Sequence, residues 1–401
     1  LTPWPPSRRG KGERWGSRSA ELVPLPTGNG RWGAVSAKSG RPFLTREGDA
    51  GRREPSGTIV AGVPPSRVGK GVRSEFVSTV STRTVVDSVL GAIGSTPLVA
   101  LDRLEEGLPG RVVAKLEYYS PGGSVKDRVA LAVVEAAEAS GELRPGGTVV
   151  ELTSGNMGTG LAVVCAVKGY RMIAVMSAGN SIERRRMLEA LGAKVELVPQ
   201  AGGPRPGQVS KEDLELVERR TQELAQELRA FRPNQFHNPQ AAAAHERTTG
   251  REIWEQSGGR VGAFVASIGT GGTFVGVAQA LKARNPQVRC YAAEPATAPF
   301  IAGGPAAVTN TSHKIQGTGY ALVPPLWQPE LVDGYLTVTD DAAVGTARLL
   351  ATREGIFGGF SGGANVAAAL EVARTCPPGT LVATVICDTG LKYLSTDLYP
   401  E

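Results

Sequence analysis

The chain has 401 residues, 44 of them Lys or Arg and 38 Asp or Glu, with 52 Gly, 28 Pro, 3 His and 4 Cys. That length suits two or three ordinary domains, and no apolar run reaches the roughly 18 residues a membrane span needs. Cys165, Cys290, Cys376 and Cys387 form no CxxC pair and have no His at metal-ligand spacing. A zinc ribbon, a thioredoxin motif and a disulfide scaffold are thereby excluded, and a reducing, cytoplasmic setting is expected.

The formal charge of +6 is unevenly spread. Residues 1–84 carry 15 basic and 6 acidic groups, and the remaining residues carry 29 and 32. The same first segment holds 13 Gly and 9 Pro, a composition of low-complexity sequence without a packed core. A disordered basic extension over 1–84 is therefore expected. A nucleic-acid or membrane arm and a targeting peptide are the competing readings of it. The favoured one is an over-extended reading frame with a true start near Val77 or Val80, because no Met precedes Met157. Neither nucleic acid nor membrane is then a partner. The two Gly-Lys-Gly clusters lack P-loop spacing.

From Val85 strand and helix patterns alternate. Strands are predicted at Val112–Leu116, Thr148–Leu152, Arg171–Met176 and Lys194–Val198. Helices fall between them over Ser124–Ser140, Gly158–Lys168 and Ile182–Leu191. A Gly/Pro loop at 202–207 precedes a long charged helix that Ser210 and Asp213 open as a capping box. A second series places strands at Val261–Ile268, Val288–Ala293 and Leu381–Cys387, with helices near Thr273–Arg284, Asp341–Glu354 and Gly363–Arg374. This grammar implies an α/β protein of two open twisted sheets, with ligands at the carboxyl ends of the strands.

Four segments carry chemistry. In Ser120–Arg128, Lys126 follows a Gly-rich turn at a helix start, where the dipole favours a deprotonated, nucleophilic amine. Thr153–Gly158 offers hydroxyls, an amide and free backbone N–H groups to a carboxylate. Gly269–Thr273 is a Gly-rich turn between strand and helix, suited to a phosphate. A dinucleotide site with Glu294 on the ribose competes with it, although Phe274 breaks the GxGxxG spacing. Gly358–Asn365 is a further turn ahead of a helix. No metal site is expected, and His237, His245 and His313 read as structural.

Taken in order, these segments resemble the fold type II (tryptophan synthase β-like) pyridoxal phosphate enzymes, and among them the cysteine synthases and cystathionine β-synthases. The resemblance covers about residues 86–399 and includes Ile93–Leu98, Ser181–Arg185, His245–Gly250, Lys314–Gly317 and Tyr393–Thr396. It implies a catalytic region over 85–401, with a smaller lobe at 120–238 and a larger one from 85–119 plus 239–401. It also implies pyridoxal 5'-phosphate as cofactor and a homodimer.

The resemblance assigns roles as well. Lys126 is the catalytic base and covalent anchor of the cofactor. Asn156 meets the ring hydroxyl, Gly269, Thr270, Gly271, Gly272 and Thr273 hold the phosphate, and Ser361 meets the ring nitrogen. Thr153, Ser154, Asn156, Met157 and Gln235 bind the substrate carboxylate. A neutral Ser361 keeps the ring a mild electron sink, which favours loss of a β-leaving group over transamination. The implied reaction is β-replacement through an α-aminoacrylate, giving cysteine from O-acetylserine or O-phosphoserine and sulfide. Serine with homocysteine is the alternative, and a dinucleotide-dependent oxidoreductase the alternative from another class. Met157 stands where relatives usually have Thr, and Gly390-Leu391-Lys392 where they have Gly-Glu-Arg. Both departures leave the donor open.

Overall fold

The computed structural model describes residues 85–204 and 209–399. The expectations for residues 1–84 and for positions 205–207 of the Gly/Pro loop lie outside the described residues.

Among the described residues the strands are β1 (Leu98–Ala100), β2 (Arg111–Leu116), β3 (Thr148–Leu152), β4 (Arg171–Ser177), β5 (Lys194–Val198), β6 (Val261–Ser267), β7 (Arg289–Pro295), β8 (Gly334–Val338) and β9 (Leu381–Ile386). The α-helices are α1 (Lys126–Ser140), α2 (Asn156–Lys168), α3 (Ile182–Ala190), α4 (Lys211–Leu228), α5 (Gln240–His245), α6 (Arg251–Gln256), α7 (Gly272–Arg284), α8 (Phe300–Gly303), α9 (Asp340–Leu349) and α10 (Phe360–Thr375). Two sheets result, one of six strands in the order β1-β2-β9-β6-β7-β8 and one of three in the order β3-β4-β5. All pairings are parallel except β1 with β2.

The small sheet is a consecutive β-α-β-α-β run. Its strands are covered on one side by α1 and α2, through Val129, Val133, Leu161 and Val164. On the other side Val217 and Leu224 of α4 pack on Val150 and Val175. The capping box that starts α4 is present: Asp213 N–H donates to Ser210 Oγ at 3.2 Å, and Ser210 N–H to Asp213 Oδ2 at 2.9 Å.

In the large sheet β2 and β9 are adjacent interior strands, and each is buried at five of its six residues. Near-continuous Val, Ala, Leu and Ile is what a parallel strand covered on both faces requires. Here β1 and β8 differ from the sequence expectation, which assigns neither. Both are short edge strands whose patterning is too brief to register. β9 joins β2 and β6 across the sheet although about 110 residues separate it from β6 and about 260 from β2 in sequence. The second half of the chain thus builds the sheet that the first few strands begin.

A buried cluster of charge fastens α1 to this sheet. Arg128 donates from Nε and Nη2 to both Glu117 oxygens (2.6 and 2.8 Å) and from Nη1 and Nη2 to both Glu252 oxygens (2.6 and 2.8 Å). Lys115 pairs with Glu252 at 2.7 Å and is fully buried. Two cations and two anions cancel, and the forked guanidinium satisfies four carboxylate oxygens at once. Those contacts drive Glu252 down to about 2 against the opposing effect of its burial.

Candidate active site

The large sheet opens at its carboxyl edge. β6 and β9 pair only as far as Phe264 and Ala383, and beyond that point side chains take over from the backbone ladder. Asn365 of α10 accepts from Ser267 N–H at 2.7 Å and donates to Val385 C=O at 2.8 Å. Thr384 Oγ1 donates to Val265 C=O at 2.8 Å. A cleft of about 590 Å³ enters at this parting, where open α/β sheets bind ligands.

Lys126, the first residue of α1, lines the cleft. The turn before it is tied to the chain just after β9: Val125 N–H donates to Cys387 C=O at 2.8 Å, and Ser124 bridges Asp388. Asp127 closes the same turn by accepting Gly122 N–H at 2.5 Å. The triplet thus sends Lys126 to the cleft, Asp127 to its own turn and Arg128 to the buried ion pairs. Burial pulls the Lys126 amine below its ordinary 10.5, against the nearby Cys387. Desolvation, more than the helix dipole, is what favours the neutral nucleophile here.

Asn156, the first residue of α2, faces the cleft from the smaller sheet's side. Its Nδ2 donates to Asp388 Oδ2 at 2.8 Å, and its Oδ1 accepts from Lys392 Nζ at 2.6 Å. The Gly269–Thr273 turn lies between β6 and α7, and Gly269, Thr270, Gly271 and Thr273 line the cleft. A Cβ at Gly269 would sit 2.2 Å from Gly317 C=O, and Gly271 has φ +84°, so side chains are excluded at both positions. Gly272 does not line the cleft; it packs on Ala241. His245 Nε2 lies 3.2 Å from Thr273 Oγ1 and its Nδ1 2.9 Å from Thr249 Oγ1. Burial, with Lys126 and Arg128 nearby, holds this imidazole well below 6.5. The ring is neutral and holds the Thr273 hydroxyl by hydrogen bonding.

Ser361 lines the cleft from the first turn of α10 and hydrogen-bonds the Cys387 thiol, which burial pushes up to about 11. Gln316, Gly317 and Thr318 complete the lining, and Arg184 of α3 donates to Gln316 Oε1 at 2.6 Å.

The remaining residues expected at the substrate stand outside that lining. Thr153 is buried and accepts Gly158 N–H at 2.8 Å. Ser154 and Gln235 are half-buried in the neighbouring loops. Glu151 holds the Gln235 loop by accepting the backbone N–H groups of Asn234 (2.9 Å) and Gln235. The Met157 side chain turns into the small-sheet core, so its bulk does not narrow the cleft. Sequence reasoning missed Asp388 and the contacts that Lys392, Asn365 and His245 make. Asn365 closes the Gly358–Asn365 turn, His245 opens a family-like run and Lys392 stands in a departure from one, but none of these signals points to its partner. Glu294, the expected ribose partner of a dinucleotide, is occupied: its carboxylate accepts Ile301 and Ala302 N–H at 3.0 and 2.9 Å. Among the described residues no group of three or more His, Cys, Asp or Glu could hold a metal, and no helix is long and apolar enough to cross a membrane.

Residues 89–388 match the family model for pyridoxal-phosphate dependent enzymes. The chain belongs to this family. It is 41% identical to a cysteine synthase of Staphylococcus aureus over 315 residues, covering 78% of this chain and 97% of the relative. Among solved structures, O-ureido-L-serine synthase is 42% identical with a TM-score of 0.72, covering 79% of this chain and 95% of that one. O-acetylserine sulfhydrylase isoform 3 of Entamoeba histolytica is 34% identical with a TM-score of 0.73, covering 79% and 92%. The fold is therefore fold type II, the cofactor is pyridoxal phosphate, and the chain stands with the cysteine synthases. The cleft suits that group chemically. It offers one amine with a lowered pKa, a glycine turn at the start of a 13-residue helix that a Cβ would block, and polar side chains at the starts of α2 and α10.

Proposed function

We propose that this protein makes cysteine from an activated serine, O-acetylserine or O-phosphoserine, and sulfide by β-replacement. The observation that carries the reading is convergence. Lys126, Asn156, Gly269–Thr273 and Ser361 come from the starts of four separate helices and meet around one cleft, with only Gly272 turned away.

When bound, pyridoxal phosphate supplies an electron sink that acidifies the substrate α-hydrogen and allows the β-substituent to leave. Lys126 would provide the amine that holds the cofactor, and its Nζ would take and return the substrate α-proton. Its desolvated position keeps that nitrogen basic without a permanent charge. The N–H groups of the Gly269–Thr273 turn and the positive end of α7 receive the phosphate. His245 orients the Thr273 hydroxyl for the same anion. Ser361, whose neutral hydroxyl lines the cleft, would stand by the ring nitrogen, where no carboxylate would enforce its protonation. Asn156 would donate to the ring oxygen. Thr153, Ser154, the Met157 backbone and Gln235 would hold the substrate carboxylate from the segments next to Asn156. A homodimer in the cytoplasm is part of the same proposal and rests on the family resemblance.

The test is a donor panel. Purified holoprotein is given O-acetylserine, O-phosphoserine or serine with sulfide, or serine with homocysteine, and products are separated. Cysteine from an activated serine is expected. Cystathionine alone, or a protein that takes up no pyridoxal phosphate, overturns the proposal.

A further inference from the structure

Asn156 lies between two charged side chains that the family-level reading leaves without a role. Lys392 Nζ donates to Asn156 Oδ1 at 2.6 Å and to Gly122 C=O at 3.0 Å. Asp388 Oδ2 accepts from Asn156 Nδ2 at 2.8 Å and from the Tyr393 hydroxyl at 2.7 Å. Lysine ammonium can only donate and carboxylate can only accept. The amide of Asn156 therefore has one possible orientation, with its oxygen toward Lys392 and its nitrogen toward Asp388. One amide hydrogen remains for the cleft.

The cluster is closed to other partners. Asp388 is 1% exposed, and Gly359 next to it has no room for a Cβ, which would lie 2.3 Å from Asp388 Oδ1. Gly122, whose carbonyl Lys392 holds, opens the turn that delivers Lys126, and Asp127 grips its N–H. The charged groups facing Lys392 are Asp388, Asp127 and Arg184. Burial lowers its amine while the two carboxylates raise it. A lysine brought into such a place costs desolvation, which its contacts must offset.

We propose that Lys392 is a positioning residue for the cofactor. It fixes Asn156 as a donor toward an anionic phenolic oxygen in the cleft, strengthens that donor through its own charge, and couples it to the Lys126 turn. The inference rests on the reading that the cleft holds pyridoxal phosphate with its ring oxygen beside Asn156. Cutting the lysine contact leaves Asp388 alone to orient the amide and removes the charge-assisted hydrogen bond that polarises it.

Lys392→Met, Lys392→Gln and Lys392→Arg are compared with wild type as holoenzymes and after cofactor removal. The readouts are the visible absorption spectrum of bound cofactor, its dissociation constant by fluorescence titration, and the melting temperature of the cofactor-free protein. For Lys392→Met and Lys392→Gln the spectrum should move toward the shorter-wavelength form with a neutral ring oxygen, and cofactor affinity should fall about tenfold, the scale of one charge-assisted hydrogen bond. Lys392→Arg should restore the wild-type spectrum. A wild-type protein without a cofactor band defeats the functional reading itself. Wild-type spectrum and affinity in both neutral variants defeat only the role of Lys392. Loss of folding in both neutral variants with retention in Lys392→Arg also defeats it, since the cation then serves the fold.

Discussion

Lys126 shows how one side chain serves the site at the fold's expense. Its folded-state pKa lies below the ordinary 10.5 because the amine is desolvated. Below 10.5 the unfolded chain then binds the proton more readily, so stability is reduced there and recovers as pH rises toward that value. Cofactor-free Lys126→Met should melt higher than wild type at pH 7, with the gap narrowing near pH 10. The same variant should lose the visible cofactor band and turn over more slowly by a factor on the order of 10³ or more. Glu151 carries the opposite sign of shift. Burial raises it to about 7 from 4.5, although two backbone N–H groups favour its charge. The folded state holds that proton between pH 4.5 and 7, so stability falls as pH climbs through this window, by about 3 kcal/mol. Denaturant titrations of Glu151→Gln at pH 5 and pH 8 should show that decline flattened.

At the scale of elements, the site depends on where helices begin. Ser124 and Gly158 are legible as the approaches to α1 and α2, because a Gly-rich turn ahead of an apolar helical period is a local signal. What fixes α1 in place is not local. Arg128 reaches Glu117 and Glu252, the second of which lies 124 residues away. Removing Glu117 leaves the buried Arg128 and Lys115 to share the single carboxylate of Glu252, so Glu117→Ala should cost about 3–5 kcal/mol. Equilibrium unfolding measures that loss, and a change below about 1 kcal/mol would show the cluster to be dispensable. The Gly269–Thr273 turn, proposed above to receive the phosphate, offers a second test. In Gly269→Ala the new methyl meets Gly317 C=O, which must retreat from the cleft. Cofactor affinity should fall about tenfold or more, read by fluorescence titration of the apoprotein.

Across the molecule, the described catalytic region divides its work between two sheets. The cleft forms where β6 and β9 part, and Asn365 fills the gap that the backbone leaves. The residues named in the site span Gly122 to Tyr393, all of them downstream of residues 1–84. A chain beginning at Val85 should therefore take up the cofactor with unchanged affinity and spectrum; a weaker or altered complex would show that the basic segment contributes to the site. The +6 of the whole sequence says nothing about this cleft, because the basic excess belongs to residues 1–84.

The sequence by itself determined the elements and the local motifs. Thr148–Leu152 and Lys194–Val198 are strands within the expected bounds, and the four Gly-rich junctions open helices, because period, capping and turn chemistry act over a few neighbouring residues. Family-like order among those junctions carried the cofactor as well. Only the tertiary structure decided that Met157 packs inward, that Glu294 is occupied, and that Asp388 and Lys392 clasp Asn156 from more than 230 positions away. Those outcomes depend on side-chain direction and on contacts between distant segments. Neither leaves a periodic trace in the order of residues.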